Sequence, residues 1–216
     1  MKLNENFEGI NNSIILSPEQ LDSLQELGNI GSGNAVVALS ELVNKRVEVS
    51  LTGIKIIPFW DLNNIFPDQH TNIFGICSNI TGEYNLTVLQ IFTKVSMINM
   101  INSISEISVD NIDEIEELDD LTKSIISEIG NILAGHYASS LANIMGIKLI
   151  PNVPVLALDS IGAICNSVAA KYSELTDFII IINTNVKIEE LRIDGIICFI
   201  PSVDTIKVIF DLLKIK

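Results

Sequence analysis

Two segments of the chain carry a glutamate and an asparagine three residues apart in the form Glu-x-Gly-Asn. Glu26 and Asn29 form the first pair, and Glu128 and Asn131 form the second. On a helix, side chains three or four residues apart share a face, so each carboxylate would be presented together with its amide. Neither pair contains a nucleophile. An amide can still orient a water molecule if the substrate brings its own electrophile and metal.

Each pair belongs to a longer row that occurs twice. The letters ELGNIGSG at 26–33 recur as EIGNILAG at 128–135, an offset of 102 residues. One turn earlier the rows continue with Asp22 and with Ser124. Positions i, i+4 and i+7 fall within about 60° on a helical wheel, so we predict that each row is an exposed helix face. A gene duplication would also retain such residues by descent, and spacing alone does not separate this explanation from function.

The glycines of the first row raise the alternative of a phosphate-binding loop. The letters GNIGSGN at 28–34 follow no predicted strand, precede no Lys-Ser or Lys-Thr pair, and begin well inside a predicted helix. We therefore favour a helix with small residues on its buried side. Since each glycine costs about 1 kcal/mol relative to alanine in a helix, we expect another backbone to approach closely at Gly28 and Gly31.

Both rows are predicted to lie on long helices that pack on a sheet, near one another. The first helix begins with the capping box of Ser17 and Gln20, with Pro18 at its first position. Opposite the rows run two apolar stripes. They comprise Leu21, Leu24, Gly28, Gly31, Ala35, Leu39 and Leu42 in the first helix, and Ile126, Gly130, Leu133, Tyr137, Leu141 and Ile144 in the second.

The repeat also predicts the organisation of the chain. We expect an α+β fold in which residues 1–216 form a single domain of two pseudo-symmetric repeats, 17–105 and 119–216. Each repeat would have one long helix, strands and a closing helix. The acidic segment 106–118 would join them as a solvated connector, with a docking tail as the alternative.

The composition excludes several classes of partner. The 27 acidic and 13 basic residues give a net charge of -14, so a nucleic-acid backbone or an anionic lipid surface would be repelled. No apolar run approaches the roughly 20 residues that span a bilayer. The N-terminal segment lacks the layout of a signal peptide, which predicts a cytoplasmic protein.

Other catalytic groups are sparse. Cys77, Cys165 and Cys198 lie far apart, outside any CxxC pattern, and are predicted to be buried thiols rather than disulfides or zinc ligands. We place His70 in a loop, and the helical wheel turns His136 about 120° away from the second row. The sequence therefore predicts no metal site and no histidine-activated nucleophile.

Taken with its repeat, the pattern Asp/Ser-x3-Glu-x2-Asn-x22-Pro resembles that of the CheC family of chemotaxis phosphatases. Ser124, Glu128, Asn131 and Pro154 satisfy it completely. The resemblance covers nearly the whole chain. Two motifs, with no flagellar-switch domain after them, are more similar to the CheC branch than to CheX-like or FliY-like proteins.

The first copy departs from the pattern. Asp22, Glu26 and Asn29 match, but Thr52 stands where the proline is expected, and Pro58 comes six residues too late. We therefore expect the second site to be the better one.

The resemblance implies an enzyme that hydrolyses the aspartyl phosphate of a CheY-type response regulator. In such proteins the asparagine positions the attacking water and the glutamate pairs with a lysine of the regulator. The resemblance implies no cofactor for this chain, because Mg²⁺ belongs to the regulator's active site. It also implies binding to the deamidase CheD, for which Asp159, in the segment VLALDSIGAICNSV, is the candidate residue. The alternative is a non-enzymatic adaptor that only binds the regulator or CheD.

Overall fold

The computed structural model describes residues 14–66, 68–104, 109–172, 174 and 176–214. In these residues the helices are Pro18–Val43 (α1), Lys94–Ile104 (α2), Asp120–Met145 (α3), Ile161–Tyr172 (α4) and Val203–Leu212 (α5). The strands are Val47–Pro58 (β1), Asn72–Gly82 (β2), Leu86–Thr93 (β3), Leu149–Pro151 (β4), Val155–Ser160 (β5), Phe178–Ile188 (β6) and Leu191–Pro201 (β7). Short 3-10 turns occupy Phe59–Ile65 and Ile115–Glu117.

All seven described strands belong to one antiparallel sheet. Its order is β1-β6-β7-β3-β2, and both β4 and β5 pair with the outer edge of β2. The central pair, β3 with β7, joins one strand from each half of the chain. Each half also gives its first strand segments to the other, since β1 pairs with β6, and β4 and β5 both pair with β2.

This arrangement confirms the predicted α+β class. Each half has a long helix, strands and a closing helix, and the sheet order is nearly symmetric about the β3–β7 pair. Because the halves exchange strands, neither has a complete sheet of its own. The single-domain organisation and the repeat bounds 17–105 and 119–216 stay predictions.

The two long helices begin and end at clear sequence signals. The capping box is confirmed: Ser17 accepts a hydrogen bond from the Gln20 backbone, and the Gln20 side chain accepts one from the Ser17 backbone. Asp119 caps α3 through the backbone N–H of Thr122, and Gly146 ends it in the left-handed region at φ 67°. Among the described residues, no helix is long and apolar enough to cross a membrane.

α1 and α3 pack against one another and on the same face of the sheet. Most of both predicted stripes is buried, as expected. The buried members are Leu24, Gly28, Ala35, Leu39, Ile126, Gly130, Leu133, Tyr137 and Leu141. Leu21 and Leu42 are half-buried, and the surroundings of Gly31 lie outside the described residues. Ile144 is 43% exposed, so its prediction is wrong; it lies in the last turn of α3, just before the chain leaves the helix.

The expected backbone approach is wrong at Gly28, because side chains approach there instead, and Gly130 of α3 has a similar contact. A Cβ atom added at Gly28 would lie 2.6 Å from Cδ1 of Leu51. One added at Gly130 would overlap Cγ2 of Ile76. Each glycine therefore makes room for a branched side chain from the sheet below.

The opposite face of the sheet is covered by α4 and by the 3-10 turn Phe59–Ile65. Cys165 and Cys198 are buried there, which confirms the prediction for these two thiols, whereas Cys77 is half-buried. Burial raises the pKa of Cys165 to about 12 and raises the pKa values of Cys77 and Cys198 as well. These thiols are therefore protonated and poorly reactive at neutral pH.

The described part of the acidic segment, 109–118, packs more closely than a solvated connector would. Its acidic side chains face the solvent, but Ile112 and Leu118 are buried in the cluster that also contains α2 and α3 residues. Asp113 accepts a hydrogen bond from Lys94 at 2.6 Å, which ties the segment to the start of α2. This ion pair holds the pKa of Asp113 below its usual value.

Candidate functional site

The second row lies along one side of an open groove of about 640 Å³. Ser124 and Glu128 are exposed on α3, and Asn131 is half-buried one turn further on. The opposite wall is the segment 151–154, which includes Pro154. The structure therefore brings the four predicted motif residues of the second copy to one groove, although Pro154 lies 23 residues after Asn131.

The wall facing the row is a gap in a strand. β4 ends at Pro151 and β5 begins at Val155, while both pair with β2 on either side of the gap. Proline has no backbone N–H, so neither Pro151 nor Pro154 can donate to the ladder. The N–H of Asn152 donates instead to the carbonyl oxygen of Asn79 at 2.8 Å, which holds the gap on the sheet.

Gly130, which lies between Glu128 and Asn131 in the chain, is on the side of α3 that faces the sheet. Ile76 fills the space that a Cβ atom would need, so the helix lies close to the sheet. The side-chain amide of Gln90 donates a hydrogen bond to the carbonyl oxygen of Gly130 at 2.7 Å. Sequence reasoning missed Gln90. Its signal was a lone amide in the strand LTVLQIFT, whose other residues are aliphatic, aromatic or threonine.

The start of α3 is fixed one turn before the row. The carboxylate of Asp119 accepts hydrogen bonds from the backbone N–H and from the hydroxyl of Thr122, both at 2.8 Å. These bonds favour the charged form and hold the pKa of Asp119 below its usual value. Thr122 is fully buried, so the cap is anchored in the protein rather than at a loose helix end.

The groove carries charges of both signs. Asp120, Lys123 and Glu128 line it, and Lys123 is half-buried. The residue 102 positions before Lys123 is Leu21, so the first row has no cation at the matching place.

The first row is present without the facing gap. Asp22, Glu26 and Asn29 are exposed along α1, as predicted. Thr52, however, lies in the unbroken strand β1, where the register with β6 shifts between Leu51 and Gly53.

The other residues considered from the sequence lie elsewhere. Pro58 is buried at the end of β1, opposite Phe178. His70 is exposed in a turn, as expected. His136 is half-buried on α3, outside the residues that line the groove, and burial lowers its pKa. In the described part of the chain, no three acidic, histidine or cysteine side chains are grouped so that they could hold a metal ion.

Asp159 lies outside the groove of the second row. It is exposed near the end of β5, and its carboxylate accepts a hydrogen bond from the backbone N–H of Ser160 at 2.6 Å. It borders a different, largely apolar groove of about 210 Å³ between β5 and α4, lined by Ala157 and Ile164 among others. The protein therefore has two separate surfaces, one around Asn131 and one around Asp159.

Comparison with known proteins finds a family whose profile matches the segments that contain both rows. The profile of the CheC-like family matches residues 19–50 and 121–157. The CheY-P phosphatase CheC of Bacillus subtilis (strain 168) is 25% identical over 174 residues, which cover 79% of this chain and 81% of that protein. The flagellar motor switch phosphatase FliY of the same organism is 33% identical over 58 residues, covering 27% of this chain but only 15% of FliY.

Solved structures share the fold. Thermotoga maritima FliY superposes with a TM-score of 0.71 at 19% identity, covering 94% of this chain and 100% of that one. The FliM middle domain from H. pylori superposes with a TM-score of 0.63 at 14% identity, covering 91% of this chain and 99% of that one. At these identities the likeness concerns the architecture alone.

Proposed function

We propose that this chain, which resembles the CheC-like family, hydrolyses the aspartyl phosphate of a CheY-type response regulator. The observation that carries the proposal is the groove in which Ser124, Glu128, Asn131 and Pro154 meet. It is supported by the similarity to a CheY-P phosphatase over most of the chain. The proposal places the protein in the cytoplasm, as the sequence predicts.

In the proposed mechanism the two polar side chains have different tasks. The half-buried amide of Asn131 enters the regulator's active site and orients a water molecule for in-line attack on phosphorus. The exposed carboxylate of Glu128 pairs with a lysine of the regulator and fixes the relative orientation of the two proteins. Phosphoryl transfer depends mainly on alignment and on neutralisation of charge, so no nucleophile from this chain is required.

The regulator supplies the remaining chemistry. Its own Mg²⁺ and lysine neutralise the phosphoryl oxygens, and we assign no cofactor to this chain. The aspartyl phosphate is already labile, so the protein needs to lower the barrier only modestly. A hundredfold acceleration corresponds to about 2.7 kcal/mol, which is within the range of one well-placed hydrogen-bonding group.

A second candidate function is a non-enzymatic adaptor that binds the regulator, or the deamidase CheD, without turnover. One observation favours it: FliM middle domains share this fold, and one of them has been solved in a FliG-FliM complex. The groove beside Asp159 is the surface that we propose for CheD, because it is separate from the row and offers an apolar floor with a charged edge.

The decay of a phosphorylated regulator separates the two candidates. The regulator is phosphorylated in the presence of Mg²⁺, and its aspartyl phosphate is followed with a substoichiometric amount of this protein. We expect each protein chain to dephosphorylate many regulator molecules. Unchanged decay with excess protein, both alone and with a CheD partner, would rule out the phosphatase; a tight complex without turnover would establish the adaptor.

A further inference from the structure

We propose that Gln90 is a positioning residue for the second site: its side-chain amide fixes the rotation and the axial position of α3 at the point where Glu128 and Asn131 are presented. The part of this inference that concerns hydrolysis rests on the proposed function. The part that concerns the helix does not.

The geometry is that of a single polar anchor in an apolar interior. Gln90 is fully buried in β3, and its ladder neighbours are Ile76 on β2 and Ile197 on β7. Its Nε2 atom donates to the carbonyl oxygen of Gly130 at 2.7 Å. Gly130 directly precedes Asn131, so a displacement of this carbonyl would be passed to the catalytic amide through one rigid peptide unit.

Stability alone does not explain a glutamine here. Its Oε1 atom is buried and has no hydrogen-bond partner among the described residues. A buried amide that is only half satisfied costs free energy, whereas an apolar side chain of similar shape would avoid that cost. The hydrogen bond of the amide is directional, so it can fix the orientation of the helix. Packing of Ile76 against Gly130 sets how closely the helix approaches, but a nonpolar contact leaves the helix free to rotate or slide.

The symmetry of the fold shows that this anchor belongs to one half only. Thr93 caps α2 and Ser202 caps α5 by the same hydrogen bond to the backbone three residues on. Ser202 lies 109 residues after Thr93, which makes Phe199 the counterpart of Gln90. Phe199 carries no amide and packs edge-to-face on Tyr137. The residue that holds α3 at its row thus has no chemical equivalent in the other half.

The test compares Gln90→Met with Thr205→Val. Methionine keeps the length of the side chain and removes the donor. Thr205 is a matched control because it is also fully buried and also donates to a backbone carbonyl oxygen at 2.7 Å, that of Asn85, away from the row. For both variants, thermal unfolding, kcat and KM for a phosphorylated CheY-type regulator, and the NMR resonances of 127–134 are measured. Should Gln90→Met not fold, Gln90→Asn takes its place, since it keeps an amide that is one methylene too short.

We expect Gln90→Met to fold with a melting temperature equal to or above that of the wild type, to lose about tenfold in kcat with little change in KM, and to shift the resonances around Asn131. Thr205→Val should leave kcat and those resonances unchanged. A folded Gln90 variant with wild-type kcat overturns the proposal, and so does an equal kcat loss in Thr205→Val. If the wild type itself has no activity, the proposed function fails. The resonances then decide: a shift confined to Gln90→Met supports the anchor, and unmoved resonances overturn it.

Discussion

The hydroxyl of Thr52 donates a hydrogen bond to the backbone carbonyl oxygen of Asn183 at 3.4 Å, across the β1–β6 ladder. Thr52 stands at the position that Pro154 holds in the second half, 102 residues later. A threonine there lets the strand continue with a register shift, whereas Pro154 lies in a gap between two strands. The strand at the position that matches Pro154 is therefore unbroken in the first half, whereas the second row faces a groove wall.

This difference predicts unequal effects of the two asparagines. Asn131→Ala should lower kcat/KM for dephosphorylation of the regulator by about 10²-fold, the loss typical of removing one preorganised hydrogen-bonding group. Asn29→Ala should cost much less, because its row lacks the facing proline. The decay of regulator phosphate measures both. Asn143→Ala, an exposed change further along α3, serves as the control. Equal losses at Asn29 and Asn131 would show that the ranking of the sites is wrong.

Docking should depend on Glu128 rather than on Asn131. Glu128→Lys reverses the charge that we propose to pair with a regulator lysine, so binding should be abolished under either candidate function. Asn131→Ala should leave the dissociation constant within about threefold of the wild type, since an amide that acts on the transition state contributes little to ground-state binding. Calorimetric titration with the regulator measures both.

The control for this charge change is Glu41→Lys. Glu41 is exposed on α1, outside both rows, and its substitution alters the net charge by the same amount. If Glu41→Lys weakens binding as much as Glu128→Lys does, the effect is one of overall charge and not of the groove.

The local features of the site could be predicted from the sequence because they depend on short-range periodicity. The two helices, the capping box and the rows at Glu26 and Glu128 all follow from spacings within a few turns. The exchange of β1 and β5 between the halves could not be predicted, because strand partners are chosen by contacts between residues far apart in the chain. The role of Gln90 could not be predicted for the same reason, because its hydrogen-bond partner Gly130 is 40 residues away.

The helix glycines show what short-range sequence patterns could not predict. The cost of glycine in a helix correctly indicated a close contact at Gly28, but helix propensity carries no information on what makes that contact. The sheet supplies a side chain, Leu51, rather than a backbone. Likewise, the helical wheel predicts that Ile144 is buried, because a wheel does not take into account that this residue lies in the last turn of the helix.

Two helix glycines, one buried and one exposed, should respond to alanine with opposite signs. Gly130→Ala gains about 1 kcal/mol of helix propensity but forces a Cβ atom into Ile76, and overpacking of a buried site typically costs about 1–3 kcal/mol. Ile76 is fully buried and β-branched, so it has little freedom to move. We expect a net loss of about 1 kcal/mol in the free energy of unfolding, measured by urea denaturation.

Gly33→Ala is the matched control. Gly33 is exposed in α1, and a Cβ atom added there would meet nothing within 4 Å. The same substitution should therefore stabilise the protein by up to about 1 kcal/mol. Two changes of the same sign would mean that the contact at Ile76 does not set the position of α3.

Lys123 should govern how readily the regulator is captured. The protein carries a net charge of -14, and the phosphorylated site of the regulator is itself acidic by virtue of its phosphoaspartate, so the two surfaces would repel one another. Lys123 is the cation among the residues that line the groove. Removing it by Lys123→Gln should raise KM by about two- to fivefold, the effect of a partly exposed ion pair, and leave kcat unchanged. Steady-state kinetics at low ionic strength and at about 150 mM salt measure the effect, which screening should reduce.

The control is Lys207→Gln on α5. This lysine is exposed and lies 3.9 Å from Asp204, so the variant makes the same change in net charge away from the groove. A kcat loss in Lys123→Gln, or an equal rise of KM in Lys207→Gln, would contradict a role for Lys123 in capture.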